Sequence, residues 1–437
     1  MQIQLDRRLR SSRSRARLSH GLVGVAIVAA LLATAGPAAA ASDSPQPSYQ
    51  TNGRVWSVAF QGGVIYIGGD FTTVRPAGAA AGTQEVVRNH AAAIDESTGN
   101  LLSWSPNVNG TVFSILPEGS TIYLGGKFTK VGGASRENIA AVSSSSGALQ
   151  SWHPTADGYV RTIKRGPNGN LFIGGHFNHV NGSQRWRIAE LTTSGGLVSW
   201  APKVTQVTGF ACPPRCAPKV WTIAFANSAV YFGGHFGLVN GVSRNSVAAV
   251  AIDNDQNLTS WNPNVYAAAN CPTCQTFETE RVFNIIVSSS KAYMCGGFWL
   301  TEGGSVRAYN LLVTNLTNGA KDPTFAAGND GDTPSCALRN GVFYFGGHFN
   351  WVGKICSQNP GGTSRKCTSD NSTRRNHIAA VDATTGALLP WNPGANSATG
   401  VWALAADSGY LGAGGDFTKI GGVAQQGFAE FPASRLP

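Results

Sequence analysis

One position in the sequence invites a metal-site reading. A short phrase recurs seven times: two glycines, a variable residue and Phe. The variable residues are Asp70, Lys127, His176, His235, Gly297, His348 and Asp416. Three His and two Asp are metal ligands by type. Spacing opposes that chemistry, because packed β-layers stand about 10 Å apart and zinc holds its ligands at roughly 2.0–2.1 Å. A hydrogen bond that pins the turn or bridges neighbouring units is the expected role. A second repeated polar group is an Arg: Arg88, Arg136, Arg185, Arg244, Arg307 and Arg375, with Gln425 in the seventh unit. It reads either as a repeated internal hydrogen bond or as a cationic rim that recognises an anionic polymer.

Eight cysteines, Cys212, Cys216, Cys271, Cys274, Cys295, Cys336, Cys356 and Cys367, offer three chemistries. Disulfides are expected, the local pairs being Cys212–Cys216, Cys271–Cys274 and Cys356–Cys367, which leaves Cys295 with Cys336. A four-cysteine zinc site from the first four and a redox pair at Cys271 and Cys274 are the alternatives. Carboxylates at Asp70, Asp157, Glu278, Glu280, Asp330, Asp332, Asp370 and Asp416 include pairs of the kind a glycosidase uses, about 5–10 Å apart, but nothing in the sequence singles one out. The run Asp253–Asn257 resembles the start of a calcium loop and lacks its Gly and distal Glu. Nucleophile-elbow, zinc-helix and phosphate-loop motifs are absent from the sequence. No cofactor is expected, calcium and zinc being the minor alternatives.

The elements that must position these residues follow from the repeat. The phrases end at Phe71, Phe128, Phe177, Phe236, Phe298, Phe349 and Phe417, spaced by 49 to 68 residues. Before each stands a short apolar strand such as VWSVAF (Val55–Phe60). After each comes an Ala-rich strand such as IAAV (Ile139–Val142), then a turn. A strand end with Trp-x-Pro follows at Trp104, Trp152, Trp200, Trp261 and Trp391, replaced in the sixth unit by a stretch around Phe325. Repeats of this period with four strands each indicate an all-β, seven-bladed β-propeller of four-stranded blades. The repeated Trp is expected to pack in the core or between blades, a sugar platform being the alternative. The last unit stops before its fourth strand, so residues 45–53 are expected to complete it.

The phrases YIGGDF, R-x-x-I-A-A-x-D, T-G-x-L and W-x-P resemble the secreted β-propellers with delta-sixty-type repeats of actinobacteria, and also the repeats of fungal cortical polarity markers. The resemblance spans about residues 50–435. It implies a propeller and brings no activity or catalytic residue. Cys295, in place of the first Gly of a pair, departs from the pattern.

Composition agrees with this reading. Of 437 residues, 54 are Gly and only 13% are charged, which excludes coiled coils and disordered chains. Six Arg and one Asp precede the apolar run Gly21–Ala35 and the small residues after it, an export signal over residues 1–41. Removing it lowers the net charge from +10 to +5 and with it the case for nucleic acid. The mature chain, 42–437, is expected to be secreted, monomeric and without a stable membrane anchor. Its long segments, 75–87, 203–219, 266–281, 326–334 and 354–374, all fall on one face of the ring, where binding residues are expected. The expected function is binding of a cell-envelope or extracellular glycan, an anionic polymer or a protein. Arg88, Arg136, Arg185, Arg244, Arg307, Arg375, Glu278, Asp330 and Asp332 are the candidate residues. A polysaccharide hydrolase or lyase on the same face is the alternative.

Overall fold

Apolar, β-branched segments with a Gly-Gly end pair locally, each with the next, into antiparallel sheets. The computed structural model describes residues 42–206, 217–253, 255–265, 281–302, 305–353, 357–358, 365–366 and 372–437, with side chains except at 299–309, 357–358 and 365–366. The expected export signal, Glu278 and six cysteines (Cys212, Cys216, Cys271, Cys274, Cys356, Cys367) lie outside the described residues, as does the side chain of Arg307.

Among the described sheets, seven three-stranded ones, one in each repeat, follow one another, with smaller sheets between them. Sheet I holds Val55–Gln61, Val64–Gly69 and Ala91–Asp95. Sheet II holds Thr111–Glu118, Thr121–Lys127 and Ile139–Ser143. Sheet III holds Val160–Arg165, Leu171–Gly175 and Ile188–Leu191. Sheet IV holds Lys219–Ala226, Ala229–His235 and Val247–Ala251. Sheet V holds Arg281–Val287, Lys291–Glu302 and Ser305–Asn315. Sheet VI holds Asp332–Arg339, Val342–His348 and Ile378–Asp382. Sheet VII holds Val401–Ala406, Tyr410–Gly415 and Phe428–Pro432. The helical element among the described residues is one short 3-10 turn, Ala433–Arg435, and no helix there is long and apolar enough to cross a membrane.

Beyond the third strand of sheets I to VI, single bridges add a fourth segment at Leu101, Leu149, Leu197, Leu258, Lys321 and Leu388. At sheet VII the bridging residue is Gln46, from the other end of the chain, opposite Glu430. Its backbone N–H donates to the Glu430 carbonyl at 2.9 Å. First strands touch in order from sheet I to sheet VII, and that of sheet VII touches that of sheet I.

The glycine excess has a packing cause. A Cβ on Gly68 would stand 2.7 Å from Cγ1 of Val112 in sheet II, so the first Gly of the pair lets the next sheet's valine approach. A Cβ on Gly69 would overlap the Arg54 carbonyl oxygen across its own hairpin. At the former position in sheet V, Cys295 takes the glycine's place and forms a disulfide with Cys336 of sheet VI, Cα to Cα 6.4 Å.

The repeated tryptophans fill the gaps between sheets. Trp104, Trp200, Trp261 and Trp391 are at most 2% exposed. Trp104 meets Tyr66 edge-on at 5.2 Å, and its Nε1–H donates to the Ser143 carbonyl at 2.8 Å. Trp200 and Trp261 repeat that bond to Ala251 and Asn315.

Candidate functional site

The site grows from one backbone irregularity. In every first strand the pairing with the second slips by one residue near its start, at Val55/Ser57, Val112/Ser114, Val160/Thr162, Val220/Thr222, Val282/Asn284, Asp332/Ser335 and Val401/Ala403. Such β-bulges re-aim the extra side chain. The extra residues are Trp56, Phe113, Arg161, Trp221, Phe283 and Trp402, with Thr333 and Pro334 in sheet VI. First strands contact one another around the cycle, so these side chains meet.

Trp56 meets Trp402 at 4.8 Å and Phe113 at 5.7 Å. Phe113 meets Tyr159 at 5.8 Å, and Trp221 meets Phe283 at 4.4 Å. Three guanidiniums lie over these rings. Arg54 stands 4.7 Å from the centre of Trp56 and 5.1 Å from Trp402. Arg161 stands 4.7 Å from Trp56, 4.7 Å from Phe113 and 5.1 Å from Trp221. Arg281 stands 5.8 Å from Trp221. Burial among the rings, partly offset by Tyr159 and Asp70, lowers the Arg161 pKa to about 10, which leaves it charged at neutral pH.

The variable residues of the repeated phrase frame this cluster. Asp70 ties sheet I to sheet II: its Oδ1 accepts from Thr111 Oγ1 at 2.6 Å and its Oδ2 from Trp56 Nε1 at 2.7 Å. Asp416 joins sheet VII to sheet I by accepting from Arg54 Nη2 at 3.0 Å, and it also accepts from Ser397 and Thr399. Those bonds offset the cost of burial and hold its pKa below the ordinary carboxylate range. His176 stacks on Tyr159 with centroids 5.2 Å apart, and burial lowers its pKa. Beside them runs a groove of about 560 Å³ lined by Asn109, Lys127, Asp157, Tyr159 and His176. Among the described residues no group of three or more His, Cys, Asp or Glu is placed to hold a metal ion.

The repeated Arg is placed elsewhere, and its partners differ from the Asp and His side chains. Nη2 of Arg88, Arg136, Arg185, Arg244 and Arg375 donates to the carbonyl of Leu102, Gln150, Val198, Thr259 and Leu389. Nη1 of each donates to the carbonyl of the residue before it. Burial lowers the pKa of Arg88, Arg136, Arg185 and Arg375. These side chains bracket the segment that follows the third strand, and Gln425 does so in sheet VII through the carbonyls of Ser48 and Phe428.

Asp330 also has an internal task. Its Oδ1 accepts from the backbone N–H groups of Asn350 and Trp351 at 2.8 and 2.9 Å. Asn52, Asn109, Asp157 and Asn396 make the same pair of bonds to Thr72 and Thr73, Thr129 and Lys130, Asn178 and His179, and Thr418 and Lys419. Asp332 opens the first strand of sheet VI opposite His348.

The aromatic and Arg cluster is the part of the site that the sequence reading missed. A signal was present: Val followed by Trp, Phe or Arg and then a small or polar residue, at Val55, Val112, Val160, Val220, Val282 and Val401.

Residues 166–197, in sheet III, match a family described as a domain of unknown function (DUF5122), beta-propeller. The chain carries a β-propeller domain. Among solved structures it is similar to the computationally designed Ika8 protein, with 11% identity, TM-score 0.43, and coverage of 90% of this chain and 99% of that one. It is also similar to the WD40 beta propeller domain of Doa1, with 11% identity, TM-score 0.46, and coverage of 89% and 97%. No curated protein matches it.

Proposed function

We propose that the mature chain, residues 42–437, is an exported seven-bladed β-propeller that binds an extracellular saccharide where its first strands converge. Each blade is a three-stranded sheet with the bridging segment as its fourth strand, and residues 45–53 complete the seventh. The cyclic contacts of the first strands and the Gln46–Glu430 bridge support that ring. The N-terminal Arg-rich and apolar stretch supports export.

The observation that carries the binding reading is the ring of bulges. Six equivalent strands spend a distorted position to collect Trp56, Phe113, Arg161, Trp221, Phe283 and Trp402 in one place. Phe283 is buried; the other five are only partly so. Aromatic walls with a few oriented polar groups are the usual lining of a ligand site.

The test is a glycan array probed with the mature protein and with the Trp56→Ala and Trp221→Ala variants, each checked for an unchanged unfolding midpoint. Binding by the wild type and its loss in both variants is expected. Silence of the wild type, or unchanged binding by folded variants, overturns the reading.

A further inference from the structure

Arg161 differs from Arg54 and from the repeated Arg in what holds it. Arg54 is paired with Asp416 and donates to Thr399, and the five repeated Arg donate to backbone carbonyls. Among the described residues, Arg161 makes no hydrogen bond and no ion pair; its contacts are the faces of Trp56, Phe113 and Trp221. Asp70, the acid whose charge acts on it, has both oxygens engaged by Thr111 and Trp56. A cation held among rings with no counter-charge in contact is an unfinished electrostatic arrangement. With its faces covered, the guanidinium has its N–H edge left, and that edge matches a planar carboxylate through two parallel hydrogen bonds. Lys, with a single charged point, lacks that fork.

We propose that Arg161 reads the carboxylate of a uronic acid residue whose sugar ring packs against the half-buried indoles of Trp221 and Trp402. This rests on the saccharide-binding reading above and adds the acid. Arg281, over Trp221 and without a hydrogen bond among the described residues, contributes a second positive charge that favours an acidic chain over a neutral one. The same fork also matches a phosphate; the group assigned to it is a sugar carboxylate, and phosphate is an outcome of the test.

The experiment is titration of the mature protein with trigalacturonate and with neutral galactotriose, read by quenching of tryptophan fluorescence. Wild type, Arg161→Gln and Arg161→Lys are compared, with unfolding midpoints measured for each. The expected result is saturable quenching by trigalacturonate and at least about tenfold weaker binding of the neutral trimer. Arg161→Gln should remove the difference and Arg161→Lys most of it, as loss of a charged hydrogen bond implies. Equal affinity for the two trimers in the wild type, or a preference kept by both folded variants, overturns the inference. So does a triglutamate peptide or inorganic phosphate that binds as tightly as the acidic trimer. Neutral glycans that bind the wild type as tightly as trigalacturonate does and fail to bind Trp56→Ala would leave the saccharide site standing and the acid assignment refuted. Trigalacturonate bound by folded Trp56→Ala and Trp221→Ala as tightly as by the wild type would refute both.

Discussion

Glu430 is a carboxyl group that the fold keeps away from water, and its titration exposes the seam of the ring. The side chain is 0% exposed. One oxygen accepts from Gln46 Nε2 at 2.7 Å, and the other has no partner. Burial is the main cause that raises its pKa from 4.5 to about 8; the Gln46 bond lowers it, and the charges of Glu96 and Asp95 add to the rise. The sign follows from linkage. Below pH 4.5 the group is protonated folded and unfolded, and it costs nothing. As the pH rises above 4.5 the unfolded carboxyl ionises while the folded one stays neutral. Stability is then lost steadily until about pH 8, where the folded group ionises too. At about 1.36 kcal/mol per unit, the cost reaches about 3 kcal/mol at pH 7. Glu430→Gln has the shape of the neutral acid and keeps an acceptor for Gln46. It should match the wild type at pH 4.5 and exceed it by about 2–3 kcal/mol at pH 7. Urea unfolding at pH 4.5, 6, 7 and 8 measures the difference, in which titrating groups that do not interact with Glu430 cancel. A constant difference across this range, or a variant weaker than the wild type at pH 7, would refute the reasoning, because it would mean that Glu430 is ionised and held as an anion in the folded ring.

Arg136→Met should lower stability by about 1–2 kcal/mol, since it leaves the Gln150 and Ser135 carbonyls without their donor, and should leave affinity for any ligand of the mouth unchanged; urea unfolding and the titrations above check both. Gly68→Ala, which sets a methyl against Val112 of the next sheet, should cost about 1–3 kcal/mol as overpacking does, measured by the same unfolding curves. The paired change Cys295→Ala and Cys336→Ala opens a cross-link spanning 41 residues and should cost about 2–4 kcal/mol. A chain beginning at residue 52 loses Gln46 and its bonds to Glu430 and to the Glu96 carbonyl; its unfolding midpoint should fall, and an equally stable monomer would contradict closure through this segment.

Part of this architecture was legible in the sequence because it is written in residue types that have few alternatives. The Gly-Gly pair recurs because one glycine admits the next sheet's valine and the other an opposing carbonyl. The repeated Trp read as packing between units, and Trp104 lies in the same apolar cluster as Tyr66 of sheet I and Val112 of sheet II. Pairing Cys295 with Cys336 was reached from the sequence by elimination; the structure gives its geometry, with a cysteine at a glycine's place facing the neighbouring sheet. Other features were not legible. The Arg partners are main-chain carbonyls 13 to 15 residues onward, and a carbonyl leaves no mark in a sequence. Asp330 was read as a binding acid from its place in a long segment; three of its four equivalents are Asn, and the shared property is one oxygen that takes two backbone N–H groups.

The bulge explains why the cluster was hidden. Strict alternation puts Val55 and Ser57 on one face and Trp56 on the other. The slip in pairing between Val55 and Ser57 breaks that alternation, and it depends on a contact with Gly69 that is remote in sequence. Once the backbone at this position is fixed by the fold, its side chain is released from a structural task, so the residue chosen there reports on something else. The bulge positions of sheets I to V and VII carry Trp, Phe, Arg, Trp, Phe and Trp. The one cation in that series carries no hydrogen bond among the described residues, whereas the cation repeated in six units is bracketed to the backbone wherever its side chain is described. Repetition in this molecule therefore marks what holds the ring, and the departure from repetition at Arg161 marks where a ligand has something to recognise.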